Sequence, residues 1–305
     1  MTDAGRRVGL IGVGNMGGRI GQRLHESGVD IVGYHRDAAK VERWGLTAAG
    51  SPRALADQVD VIALCLPDSP VVESVLLGSG DSDGDGVLDG LRPGQLIVDF
   101  TSALPASTVR LAALAADKGA GYVDAPVSGG ARSVAGGKLT IMAGGDEATV
   151  AGLGWLFAPI AAAVHYMGGP GAGHTTKILN NFLSAISLAA TSEAMVGAKL
   201  AGIDPAKFLE VVSTSSGRNY ATETRFPAIV RGDYLESAGG ITVDLMVKDV
   251  ASFLSVAAEL DIPSYTGPGA LAAFKTAVAL GYGARINNRV VDAIGDVAGG
   301  IRIKE

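Results

Sequence analysis

Four clusters in the 305-residue sequence combine residue types and spacings that can do chemistry. The first is Gly12-Val13-Gly14-Asn15-Met16-Gly17, a G-x-G-x-x-G run. Between a strand and a helix, its first glycine permits a tight turn and its second lets backbone approach a pyrophosphate. The third allows close helix–sheet packing, and the helix N-terminus attracts the anion. The second cluster is Asp124-Ala125-Pro126-Val127-Ser128-Gly129-Gly130, where the Ser128 hydroxyl and successive backbone N–H groups suit a carboxylate; as a bare pattern it also reads as a loop. The third, GGPGAGHTTKILNN from Gly168 to Asn181, runs from a glycine turn into a helix. There Lys177 and Asn181, spaced i, i+4, share one face. A sheltered ammonium serves as general acid or base; alone, the same lysine would be a surface charge. The fourth is Lys248-Asp249, in a helix that otherwise packs Val243, Val247, Phe253, Leu254 and Val256; a solvated helix face is the simpler reading.

Strand, glycine turn, helix and second strand fall where a βαβ unit needs them, so dinucleotide binding is expected. An acidic residue about 20 positions after the motif would hold the ribose 2′-hydroxyl of NAD. Here His35 and Arg36 stand at the end of the second strand, a pair that welcomes a 2′-phosphate, and NADP(H) is expected over NAD(H). Asp37 lies past the strand end and is expected to cap the next helix.

Positioning these clusters requires an α/β architecture. Val8–Val13, Asp30–Tyr34, Val59–Leu66, Gln95–Asp99, Gly121–Asp124 and Leu139–Ala143 read as strands, alternating with helical runs such as Met16–Ser27. That alternation predicts a parallel, doubly wound sheet. From about Gly173 the pattern becomes helical, with Asp204 expected to cap a helix opening at Pro205 and a further helix over Val243–Leu260. Of 44 glycines, 31 fall in residues 1–173, which matches a division into an anion-binding domain (1–167) and an all-helical domain (168–305). Gly18, Gly21 and Gly299-Gly300 have no role in this reading. With aromatics at 5%, the core is expected to rest on Ala, Val, Leu and Ile.

Taken in order, the four clusters resemble the β-hydroxyacid dehydrogenase family, the group of 3-hydroxyisobutyrate dehydrogenase, from about Val8 to Ala279. The resemblance implies a Rossmann domain followed by an all-α domain, and reversible oxidation of a 3-hydroxy acid to its aldehyde or ketone. It implies that Lys177 is the catalytic lysine and Asn181 its helical neighbour, and that Ser128, Gly129 and Gly130 hold the substrate carboxylate. Leu66-Pro67 and Ser102 (usually Thr) would flank the cofactor, Lys248 would lie on the cofactor side, and Ser216-Gly217-Arg218-Asn219 would lie near the substrate. Arg132, Ser133, Val134, Lys138 and Asn287-Asn288 depart from the usual pattern, so no relative's substrate transfers directly. Imine reductases share the architecture but generally lack the lysine. An imine reductase or a non-catalytic NADP-binding module are the alternatives, and the resemblance implies a homodimer or homotetramer.

Composition excludes other classes. Net charge is −6, against a coat for nucleic acid. No targeting or membrane segment is expected: the Ile178–Leu200 stretch carries Asn180, Asn181, Glu193 and Lys199 and reads as a buried globular helix. Single Cys65, in an apolar run, is expected to pack as a small hydrophobe in a reducing, cytoplasmic compartment. His25, His35, His165 and His174 have no ligand spacing, so no metal is expected. Asp81–Gly86 matches the opening of a calcium loop, but Arg92 stands where the bidentate Glu belongs, and a solvated loop is expected instead.

Overall fold

The computed structural model describes residues 5–78, 85–236 and 240–304. The chain divides into two compact units at Lys177 and Ile178.

The first unit is built on one sheet with strands β1 (Val8–Ile11), β2 (Ile31–Tyr34), β3 (Thr47–Ala48), β4 (Val61–Leu64), β5 (Leu96–Asp99), β6 (Gly121–Asp124), β7 (Val127–Ser128), β8 (Leu139–Gly144) and β9 (Ala161–Gly168). The order is β3-β2-β1-β4-β5-β6-β8-β7, with β9 parallel to β8. Strands β3 to β6 are mutually parallel, whereas β8 runs antiparallel to β6 and β7. The 3-2-1-4-5-6 succession is that of a dinucleotide-binding sheet, whose ligands bind where the strand order reverses, between β1 and β4.

The parallel strands are almost wholly apolar because both faces are covered. On β4, Val61 and Ala63 pack with Ile20 and Leu24 of helix α1 (Asn15–Glu26), while Ile62 and Leu64 pack on the other face with Leu55, Val72 and Leu111. Leu111 belongs to helix α2 (Pro105–Asp117), which opens with proline at its first position. The two-residue strands β3 and β7 are too short for alternation to register. Strand β9 escapes a pattern reading because it opens on three alanines and five of its eight residues are exposed.

Helix α3 (Ala172–Leu200) crosses from one unit to the other. The division lies beyond the glycine turn because the first residues of α3 are held by the sheet: the N–H groups of Gly171 and His174 both donate to Asp124 at 2.8 Å. The expectation of a buried helix over Ile178–Leu200 is corrected, since Leu179, Leu183 and Leu200 are exposed. An Ala- and Leu-rich helix covers only the stripe facing its neighbours, and its outward leucines stay open.

The regular elements of the second unit are all helices among the described residues, joined by loops and one isolated bridge between Thr242 and Ile286. Asp204 caps Pro205–Thr214 by accepting from the Lys207 N–H at 3.0 Å. Helix α4 (Val243–Glu259) opens on the Thr242 hydroxyl. The core gathers Met195, Phe226, Val250, Phe274 and Val291. Although aromatics are few, Phe157, Phe226 and Phe274 are among the largest fully buried side chains, so the scarce rings sit centrally within an aliphatic core.

Candidate functional site

At the C-terminal end of β1, Gly12 turns the chain with φ +97°, and a Cβ there would collide with the Cys65 carbonyl that follows β4. A Cβ on Gly17 would strike the Gly12 carbonyl and lie 2.9 Å from the Cys65 Cβ. Around Gly14, by contrast, a Cβ would meet nothing within 4 Å. The glycine is therefore required by nothing in the protein, which leaves backbone open to an outside group. Helix α1 has no side-chain N-cap and no acidic residue in its first turn, so its terminal N–H groups and dipole face that space uncompensated. These residues fit a dinucleotide pyrophosphate. Val13 is buried and its carbonyl accepts from the Trp44 indole at 3.1 Å; Asn15 accepts from Arg19 at 3.3 Å; Met16 packs partly against the core. Gly18 now has a reason, because a Cβ there would overlap the Trp44 ring. Gly21 is pinched between Leu10 and Leu46, and Gly299 and Gly300 reverse the chain after the last helix with positive φ.

At the end of β2, His35 is half-buried and its Nδ1 accepts from the Asp37 N–H at 2.9 Å. Arg36 is exposed and makes no ion pair among the described residues. The Asp37 carboxylate accepts from the Ala39 N–H at 3.2 Å, starting the next helical turn. Leu66 and Pro67 follow β4, with the Leu66 N–H donating to the Thr101 hydroxyl at 3.1 Å; Ser102 is half-buried beside Thr101. Burial, with help from Asp99, pushes the Cys65 thiol up to about 12. This thiol packs against the core and is no nucleophile at neutral pH.

Beneath the strand ends lies a buried polar cluster that the sequence reading did not assemble. Asp99 and Asp124 close β5 and β6 side by side in register. Asp99 accepts from the Thr101 N–H at 2.9 Å and the Tyr122 hydroxyl at 2.8 Å. Burial first, then Asp99, pushes the Tyr122 hydroxyl well up. His174 is fully buried, with Nδ1 2.7 Å from the Thr108 hydroxyl and Nε2 2.9 Å from the Thr101 carbonyl. The available signal was a strand-terminal Asp on adjacent strands: a carboxylate at the end of a covered sheet must find donors.

In the loop expected to hold a carboxylate, Ser128 pairs across to Thr140, and Gly129 and Gly130 follow with φ +125° and +75°. The Ser133 hydroxyl donates to the Gly129 carbonyl at 2.6 Å, so this departure from the usual pattern fastens the loop. The N–H groups of Gly129 and Gly130 donate to no protein acceptor among the described residues. Arg132 and Lys138 are exposed.

On α3, Lys177 and Asn181 are 7% and 6% exposed, one turn apart. The Asn181 amide donates to Asp249 Oδ2 at 2.8 Å, and Lys248 Nζ lies 3.2 Å from Asp249 Oδ1. The reading of Lys248-Asp249 as a solvated face is thus corrected for Asp249, which is buried and anchors both neighbours. Because a carboxylate only accepts, Asn181 turns its amide nitrogen toward Asp249 and its oxygen away. Phe182 stacks on Phe253 at 3.5 Å, pinning α3 to α4 beside Asn181.

Arg218 is exposed and paired with Glu223 at 3.3 Å, while Asn219 is committed to capping the helix Tyr220–Thr224. Among the described residues no group of His, Cys, Asp and Glu could hold a metal. Of the calcium-loop residues, Asp81–Gly84 lie outside the described ones; Arg92 donates to the Asp57 and Val59 carbonyls.

Residues 7–168 match the NAD binding domain of 6-phosphogluconate dehydrogenase, and residues 171–294 match the NAD-binding domain of NADP-dependent 3-hydroxyisobutyrate dehydrogenase. The chain is 35% identical over 281 residues to 2-(hydroxymethyl)glutarate dehydrogenase of Eubacterium barkeri, covering 91% of each. It belongs to the β-hydroxyacid dehydrogenase family. Within that family it is 34% identical over 283 residues to human mitochondrial 3-hydroxyisobutyrate dehydrogenase, covering 90% of this chain and 82% of that one. Mycobacterium tuberculosis 3-hydroxyisobutyrate dehydrogenase, solved with L-serine, superposes with a TM-score of 0.84 at 25% identity, covering 94% of this chain and 98% of that one. No described helix is long and apolar enough to cross a membrane.

Proposed function

We propose that this protein is an NADP(H)-dependent dehydrogenase that interconverts a small 3-hydroxy acid and its semialdehyde or keto form, with Lys177 as general acid and base. The observation that carries the reading is a lysine buried to 7% exposure one turn from a buried, oriented Asn181, in a chain whose glycine loop leaves open the space beside Gly14. A buried ammonium three residues after His174 on the same helix suits proton transfer at a sheltered site.

The dinucleotide, when bound, supplies or accepts the hydride. Gly12–Gly17 and the N-terminus of α1 would hold its pyrophosphate, Leu66, Pro67 and Ser102 would flank it, and the family resemblance assigns Lys248 to the cofactor. His35 and Arg36 take a 2′-phosphate: Arg36 is exposed and unpaired among the described residues, and the Asp37 carboxylate is already spent on Ala39. The substrate carboxylate is held by the Ser128 hydroxyl and the N–H groups of Gly129 and Gly130. In oxidation the neutral amine of Lys177 takes the hydroxyl proton; in reduction its ammonium returns that proton to the carbonyl oxygen. Asn181 orients the reacting oxygen or Lys177 itself. Such proton transfer is worth roughly 10²–10⁴-fold.

The relatives named above act on 2-(hydroxymethyl)glutarate and 3-hydroxyisobutyrate, which supports a carboxylated substrate of this size. The exposed cations Arg132 and Lys138, near the carboxylate loop in sequence, suit a second anionic group. A homodimer or homotetramer fits the leucines exposed on α3, and a cytoplasmic location fits the lone, unreactive Cys65. The test is NADPH consumption against a panel of carboxylated aldehydes (tartronate, methylmalonate and succinate semialdehydes) and cyclic imines, with NADH in parallel. Turnover of imines alone, or none despite tight NADPH binding, would overturn the reading.

A further inference from the structure

Resting on the reading of Lys177 as the proton-transfer group, we propose that His174 is the residue that positions it. His174 is the third residue of α3 and precedes Lys177 by three, so the two lie on one side of the helix. It is completely buried, and its backbone N–H and both ring nitrogens have partners. Its backbone N–H donates to Asp124 Oδ2 at 2.8 Å. Its Nε2 is 2.9 Å from the Thr101 carbonyl, which only accepts, so that nitrogen carries a hydrogen. Its Nδ1 is 2.7 Å from the Thr108 hydroxyl. One residue thereby ties the first turn of α3 to the end of β6, to the turn after β5 and to α2.

The anchor points cannot drift. Asp124 also accepts from the Gly171 N–H at 2.8 Å, so one carboxylate grips both ends of the Gly171–His174 turn. A Cβ on Gly144 would lie 2.7 Å from Asp124 Oδ1, and one on Gly173 2.9 Å from Oδ2, so the carboxylate fits a slot with no spare width. Asp99 stands 4.0 Å from Nε2 and is itself fixed by Thr101 and Tyr122. With both ring nitrogens engaged by internal partners and no solvent contact, the imidazole is a strut for the helix and no relay. Without it the Thr101 carbonyl loses its donor, a cavity opens, and the turn that aims Lys177 can rotate.

The experiment compares wild type with His174→Ala, His174→Gln, Lys177→Ala and, as a control for general destabilisation, Tyr234→Phe, which loses a 2.8 Å hydrogen bond to Asp292 in the second unit. Hydrogen exchange on the free protein reads the amides of residues 174–178, and steady-state kinetics use NADPH with the semialdehyde panel. In His174→Ala these amides exchange at least about tenfold faster while the rest of the first unit is unchanged. Its kcat falls about 10- to 100-fold with KM within about threefold, the signature of a misplaced group in an otherwise intact site. The NADPH deuterium isotope effect rises as the chemical step slows. Glutamine, whose amide can donate to Thr101, recovers most of both losses, and Tyr234→Phe shows neither. If His174→Ala does not fold, His174→Asn, too short to reach Thr101, replaces it. Unchanged exchange in this turn, loss of protection spread evenly over the unit, or wild-type kcat alongside an inactive Lys177→Ala would each overturn the proposal. Retained turnover in Lys177→Ala would instead defeat the reading on which it rests.

Discussion

Replacing Gly14 by alanine separates what the fold needs from what the ligand needs. Gly14 has an ordinary φ of −71°, and the added methyl would meet nothing within 4 Å. As N-cap of α1 the alanine loses about 0.5–1 kcal/mol of capping preference, and restricting the unfolded chain returns about 0.4–1 kcal/mol. The unliganded variant should therefore melt within about 2 °C of wild type. The pyrophosphate, however, would have to occupy the space the methyl fills. We expect NADPH affinity to fall at least about 10- to 100-fold, or about 1.4–2.8 kcal/mol. At a concentration 100 times the wild-type Kd, the ligand stabilises wild type by about 2.7 kcal/mol, and the variant should keep about 1.4 kcal/mol of that after a tenfold loss of affinity and about 0.4 kcal/mol after a hundredfold one. Gly17→Ala makes the contrast. Its methyl strikes the backbone carbonyl of Gly12, so it should lower the unliganded stability itself by about 1–3 kcal/mol. The assays are thermal melts with and without NADPH, and fluorescence titration for Kd. Wild-type NADPH affinity in a well-folded Gly14→Ala would refute the assignment of this space to the cofactor.

Lys177→Ala should lower kcat by about 10²–10⁴-fold while NADPH binds as before; a loss confined to KM would argue against proton transfer at this residue. Arg36→Ala should reduce kcat/KM with NADPH by about tenfold or more and leave NADH nearly unchanged, because a charge-assisted bond to phosphate is worth about 1.5–3 kcal/mol and exposure reduces that. Equal losses with both would remove the basis for the preference. Native Cys65 should resist alkylation at pH 8 and react once the protein is unfolded. Its thiol ionises near 9 when unfolded and near 12 when folded, so its contribution to stability is complete below pH 9 and declines as pH rises toward 12. Cys65→Ala should flatten that decline in alkaline denaturation.

Legibility of the fold followed the density of apolar side chains. Strands β1, β4 and β5 stood out because burial on both faces demands unbroken runs, and α4 because its apolar positions recur at helical spacing. Strand β9 was silent: alanine suits a helix as well as a sheet, and an edge strand needs no alternation. The candidate site was legible where chemistry shortens the sequence pattern, at Gly12–Gly17 and at the Lys177–Asn181 step. It was not legible where function depends on partners distant in sequence. Asp249 read as a surface charge because its partner Asn181 lies 68 residues away. His174 read as an isolated histidine because Thr101 and Thr108 come to it only once α2, β5 and α3 have packed.

The seating of Trp44 against Gly18 makes the protein its own optical reporter. The indole donates to the Val13 carbonyl, in the loop that holds Gly14, and Arg19 lies over its ring at 5.9 Å. Of the two tryptophans, Trp155 packs instead against the core of the first unit. In a Trp155→Phe background, tryptophan emission would come from a single ring hydrogen-bonded to the Gly12–Gly17 loop. Its quenching by NADPH through energy transfer would then follow cofactor arrival in real time, without label, substrate or turnover.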